Sequence, residues 1–171
     1  TTGVWLALPV FGALPMYLGA TEARYVDAFF ESMSGLTTTG ATVFEPDRLV
    51  GADHLWRGLV GWMGGFLIWV SAIAILAPLN LGGFEVLGAA GSNTSRGFTQ
   101  IVRIADASVR LQRFTVMLLP IYTGLTLVLW VGLLIAGDPP LVAVIHAMST
   151  LATSGISPIG GTMDATSGFG G

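Results

Sequence analysis

Residues 34 to 44 read SGLTTTGATVF, a polar, β-branched, glycine-bearing stretch with membrane-like sequence on both sides. Before it lies RYVDAFFESMSGL (24 to 36), which has the apolar spacing of a helix. At about 1.5 Å per residue that helix is near 20 Å long, too short to cross roughly 30 Å of hydrocarbon. It is expected to enter a membrane and stop. The TTTGATV that follows is poor in helix propensity and is not bounded as a strand in any sheet. Irregular backbone at membrane depth is tolerated only where protein buries it or where it lines a water-filled cavity. A re-entrant loop is the economical reading.

Composition supports a bilayer setting. Of the 171 residues 53% are hydrophobic and 10% charged, and the mean hydropathy is +0.76, outside the balance of soluble domains. There is no cysteine, so disulfides and thiolate metal sites are excluded. Net charge is −3 and all seven basic residues are arginine, which leaves no lysine-rich arm for nucleic acid. The chain begins TTGVW, without an initiator methionine or a charged n-region, so an intact signal peptide is not expected and a fragment is.

Three charge-free runs are long enough to span: GVWLALPVFGALPMYLG (3 to 19), GLVGWMGGFLIWVSAIAILAPL (58 to 79) and FTVMLLPIYTGLTLVLWVGLLIAG (114 to 137). Pro9, Pro15 and Pro120 are expected to kink them, which neighbouring helices accommodate. A fourth run, LVAVIHAMSTLATSGISPIGG, starts apolar and turns to Ser, Thr and Gly. Laying residues 27 to 44 on 142 to 159 at an offset of 115 gives six identities: Ala28/Ala143, Met33/Met148, Ser34/Ser149, Leu36/Leu151, Thr38/Thr153 and Gly40/Gly155. The repeating unit is helix, short pore-type helix, polar loop, helix. Its chemistry suits cation dehydration, because a narrow pore must replace the water of an ion with stacked oxygen dipoles, usually backbone carbonyls. Turning successive carbonyls to one axis requires positive φ, which Gly40 and Gly155 adopt at little cost. The negative ends of both short helices point at the loops, where cations are favoured.

At DAFFESMSGLTTTGATVF, LWRGLVGWMGGFLIWVSAIAILAPLNLGG and HAMSTLATSGIS the chain resembles the TrkH/TrkG/KtrB superfamily of potassium transporters, relatives of the potassium channels, over about residues 3 to 161. The resemblance implies an all-α polytopic membrane protein built from tandem helix, re-entrant pore-helix and filter-loop, helix repeats, four of which surround one pore. Residues 1–84 would be the first repeat, 85–113 a cytoplasmic basic connector, and 114–171 a second repeat cut short before its last helix. Repeats three and four are missing, so one such chain cannot close a pore of the family type. Carried over residue by residue, Thr38, Thr39, Gly40 and Ala41 would line one quadrant of the selectivity filter and Thr153, Ser154, Gly155 and Ile156 the next, with Thr37 and Ala152 just below. Serine at the filter glycine is associated with sodium preference in this superfamily; both positions are glycine here, which favours potassium. Potassium would be cargo, with no cofactor. The implied partners are the remaining pore repeats, a second copy in a homodimer, and a cytoplasmic nucleotide-binding regulatory ring; the implied location is a prokaryotic plasma (inner) membrane.

Orientation follows independently from charge. Residues 85 to 113 carry Arg96, Arg103, Arg110 and Arg113 against Glu85 and Asp106, and the positive-inside rule makes them cytoplasmic. The opposite side holds Glu22, Asp27, Glu31, Glu45, Asp47, Asp53, Asp138 and Asp164, a negative rim able to concentrate cations or simply a solvated surface. Arg57, just before a span, is expected to snorkel to the interface. Glu31 and His146 are equivalent under the repeat, and each is a candidate to orient its loop by a hydrogen bond. Gly61, Gly64 and Gly65 read as a close-packing stripe rather than a hinge. Asn93-Thr94-Ser95 is a glycosylation sequon by pattern only, on the expected cytoplasmic side. Two other function classes stand beside uptake of potassium, or of sodium. An intramembrane serine hydrolase lacks G-x-S-x-G and any Ser/His pairing in sequence, and a non-conducting accessory membrane protein would be separated by ion flux.

Overall fold

A computed structural model describes residues 2–19, 24–76 and 99–159. Every regular element among them is a helix: α1 (Thr2–Gly19), α2 (Tyr25–Leu36), a 3-10 turn (Pro46–Arg48), α3 (Gly51–Leu76), α4 (Thr99–Ala136) and α5 (Pro140–Ala152). The chain forms two compact units, one of Thr1–Phe66 with Tyr122–Gly171 and one of Leu67–Ile121. Two helical stretches among the described residues are long and apolar enough to cross a membrane, Gly51–Ile73 and Leu111–Ala136; α1 contributes a shorter apolar helix, Trp5–Gly19. The helix expected to begin at residue 58 begins instead at Gly51, with Asp53 in the first turn, where the helix dipole favours an acid. Similarly, α4 starts at Thr99, inside the stretch expected as a connector; residues 85–98 of that stretch and the sequon lie outside the described residues.

In the first unit α1 packs on α2 through Ala13, Met16 and Ala28, all buried, flanked by Tyr25, Phe29, Phe44 and Trp56. Pro15 deprives the Phe11 carbonyl of its helical donor. On either side of that position side chains donate to α1: Tyr25 Oη to the Val10 carbonyl at 3.1 Å and Trp56 Nε1 to the Gly12 carbonyl at 2.9 Å. A second cluster of Ile145, Met148 and Ile156, with Trp62 and Val144 against it, seats α5 on α3. The near half of α4 is tied in by Trp62 Nε1 donating to Thr126 Oγ1 at 2.9 Å and Tyr122 Oη donating to the Trp62 carbonyl at 3.2 Å.

The glycine stripe of α3 is where both short helices end. A β-carbon on Gly64 would fall on the Leu36 carbonyl, at the last residue of α2, and one on Gly65 would sit 2.8 Å from Cα of Ala152, at the last residue of α5. These are close backbone approaches that only glycine permits, so the stripe acts in packing, as expected. In the second unit, the middle of α4 carries Thr115, whose Oγ1 donates to the Leu111 carbonyl at 2.8 Å.

Candidate functional site: two glycine-bearing loops

Each short helix breaks into a loop of the same construction. After α2, Thr37 N–H donates to the Met33 carbonyl at 2.9 Å, Thr38 N–H to Gly35 at 2.9 Å and Thr39 N–H to Ser34 at 2.9 Å; after α5, Thr153 N–H donates to Thr150 at 3.2 Å and Ser154 N–H to Ser149 at 3.0 Å. The bonds of Thr38 and Thr39 therefore recur at the offset of 115 read in the sequence. Backbone conformation repeats as well. Thr38 has φ 56° and Thr153 φ 54°, while Gly40 has φ 75° and Gly155 φ 67°. Glycine was the expected carrier of positive φ, but each loop also holds a threonine there. A β-branched residue in that region is a strained outlier, kept only when its surroundings over-determine it. The sequence carries no signal for it beyond the Thr38/Thr153 identity.

Behind each loop one side chain anchors its outer limb. Glu31 Oε2 accepts from Thr42 Oγ1 at 3.1 Å and from Val43 N–H at 3.2 Å. At the positions 115 residues later, His146 Nε2 and Ser157 Oγ lie 3.0 Å apart in a hydrogen bond. Thr42 and Ser157 in turn each accept a backbone N–H two residues on, from Phe44 at 3.2 Å and from Ile159 at 3.2 Å. Glu31 and His146 thus orient their loops as anticipated; Thr42 and Ser157, the residues they hold, were missed, although the offset pairs them. Arg57 departs from expectation. It is 5% exposed and forms an ion pair with Glu31, because α3 starts early enough to place it inside the packed unit, where a guanidinium requires a counterion.

The expected site residues divide by location. Thr37 Oγ1 donates to the Met33 carbonyl at 2.9 Å and lies 2.8 Å from Thr39 Oγ1. Thr37, Thr39, Ala41, Thr153 and Gly155 are exposed, and Thr38 and Gly40 half-buried. Ala152, Ser154 and Ile156 are buried, with Ser154 Oγ donating to Ser149 Oγ at 3.3 Å. The two loops meet at Gly40, where a β-carbon would fall on the Ser154 carbonyl oxygen; around Gly155 nothing lies within 4 Å of such a carbon.

The acid rim is smaller than expected. Glu31, Asp53 and Asp138 are buried, whereas Glu45 and Asp47 are exposed, and Glu22 and Asp164 lie outside the described residues. Asp27, at the start of α2, takes a 3.0 Å hydrogen bond from exposed Arg24, which holds its carboxyl below the usual carboxylate range.

No protein-family model matches the chain. It is 37% identical over 159 residues to the Trk system potassium uptake protein TrkI of Halomonas elongata, covering 92% of this chain and 30% of that protein. To TrkH of Vibrio parahaemolyticus, also named a Trk system potassium uptake protein, it is 36% identical over 96% of this chain and 32% of the relative. The crystal structure of the potassium transporter TrkH from Vibrio parahaemolyticus superposes with a TM-score of 0.70 at 34% identity, over 93% of this chain and 30% of that one. The chain thus spans about a third of the length of the curated relatives it matches. Over nearly all of its residues the chain thus shares sequence and helical fold with part of the Trk system potassium uptake proteins.

Proposed function

We propose that this segment supplies two of the loops that line a potassium uptake pathway across a membrane, with Thr37 to Ala41 and Ala152 to Ile156 as two quadrants of its selectivity filter. One observation carries the reading: positive φ at Thr38 and Gly40 recurs at Thr153 and Gly155, each time just past the C-terminus of a short helix. Strained backbone repeated at equivalent positions serves a shared geometric purpose, and a helix C-terminus favours a cation. Alternating positive φ turns peptide planes toward one side, which lets carbonyl oxygens replace the water of an ion. α2 and α5 then act as re-entrant pore helices within two tandem repeats, joined by a cytoplasmic connector.

Two such loops make half a ring, so closure requires the further repeats that the longer relatives have room for. A homodimer and a cytoplasmic nucleotide-binding regulator facing the arginine-bearing start of α4 complete the proposed assembly in a prokaryotic inner membrane. Potassium is the cargo, and no covalent chemistry is involved. The test is rubidium uptake by the full-length protein in a bacterial strain stripped of its own potassium uptake. Growth at low potassium and rubidium entry with sodium excluded are expected. Entry of both ions alike would point to a sodium-permeable transporter, and no entry of either to an accessory role.

A further inference from the structure

The two loops are anchored by unlike chemistry. A single side-chain hydrogen bond between His146 and Ser157 holds the second, whereas a buried ion pair holds the first. The Arg57 and Glu31 side chains are 4% and 3% exposed. Arg57 Nη2 also donates to Thr42 Oγ1 at 3.0 Å. The Thr42 hydroxyl has one proton and two acceptors in reach, Glu31 Oε2 at 3.1 Å and the Phe44 carbonyl at 3.1 Å; the charged oxygen is the stronger acceptor. Thr42 therefore receives from Arg57 and gives to Glu31, and Val43 N–H adds a second backbone link to the same carboxylate. Nε and Nη1 of Arg57 have no acceptor among the described residues, so Glu31 and Thr42 alone orient the guanidinium.

A buried ion pair is a poor way to add stability, since apolar side chains of similar volume often hold helices as well or better. What it supplies is direction. Thr42 is two residues past Gly40, and the outer limb of the loop can shift only if hydrogen bonds to two desolvated charges are given up, at a cost well above that of a neutral pair.

We propose that Arg57 and Glu31 are positioning residues that act through Thr42 to fix the first loop, and that ion discrimination at this loop depends on their charged brace. The proposal rests on the pore reading above. Its test uses the full-length protein, comparing Thr42→Val, which removes the hydroxyl while keeping the shape, with Thr42→Ser, which restores it. Thr42 is exposed, so neither change adds bulk to the packed interior. Sodium competition against rubidium uptake, normalised to protein in the membrane, should show a roughly three- to tenfold loss of discrimination in Thr42→Val, a fraction of one charge-assisted hydrogen bond falling unequally on the two ions, and recovery in Thr42→Ser. A purely structural role would lower the amount of folded protein and leave the ratio per molecule unchanged. Normal wild-type uptake with unaltered discrimination in Thr42→Val overturns the brace alone. Wild-type protein that carries no potassium overturns the transport reading, and the brace with it.

Discussion

The Ser154 carbonyl oxygen occupies the space that a β-carbon on Gly40 would need. The first loop thus touches the second through backbone, at a residue whose φ of 75° already favours glycine.

Gly40→Ser and Gly155→Ser should for that reason differ. Both place a side chain at positive φ, a strain of about 1–2 kcal/mol, but only at Gly40 must the neighbouring loop also move. Loss of potassium over sodium selectivity should be several-fold for Gly155→Ser and larger for Gly40→Ser. Reversal potentials of the full-length protein measure it. Equal effects would mean that the contact with Ser154 does not bear on the ion path.

The glycine stripe of α3 allows a contrast within one protein. Gly64→Ala drives a methyl group into the Leu36 backbone, whereas around Gly132 of α4 nothing lies within 4 Å. Overpacking of this kind costs about 1–3 kcal/mol or more, while Gly→Ala at an open helix position gains up to about 1 kcal/mol. Thermal melting in detergent should therefore fall for Gly64→Ala and hold or rise for Gly132→Ala. A Gly64→Ala protein that melts like wild type would remove the close approach of α2 to α3.

Breaking the Arg57 and Glu31 pair on one side strands a buried charge. Glu31→Gln alone or Arg57→Met alone should destabilise by about 3–5 kcal/mol, and the double replacement by clearly less than the sum. A double-mutant cycle on melting temperatures reads this directly. Additive losses would show that the two side chains do not interact.

Orientation can be read with introduced cysteines. Arg103, Arg110 and Arg113 lie in the first half of α4, and the positive-inside rule puts that end in the cytoplasm. A cysteine at Asn93 should be labelled only from the cytoplasmic side and one at exposed Asp47 only from outside; the reverse pattern would invert the protein. Asp53, buried in the first turn of α3, is unsuitable as a reporter.

Much of this architecture could be read from sequence because it rests on short-range rules. The spacing in YVDAFFESMSGL gives a helix too short to span, and the offset of 115 pairs α2 with α5, Gly40 with Gly155 and Glu31 with His146. What escaped depends on contacts between segments. Arg57 read as a snorkelling residue because nothing local brings Glu31 to it, and the start of α3 was set too late because its first turn is polar. The left-handed Thr38 and Thr153 contradict the preference of their own side chains, so only the assembled loop could reveal them. Asp53 and Asp138 counted toward an outer rim by charge alone, whereas tertiary packing buries them.

Synthesis adds a consequence to the position of α3, whose glycine face receives the ends of both α2 and α5. The ribosome releases α2 and then α3, so the end of α2 has its docking partner on α3 as soon as α3 emerges, before the contact with Ser154 can form. When α5 follows, one side of its seat is already built, and its loop is cast against a finished neighbour. Nascent chains halted after α3 should already protect α2 from protease, whereas chains that reach α5 without an intact α3 should protect neither loop. In the order of biogenesis, α2 and α3 are the template on which α5 is set.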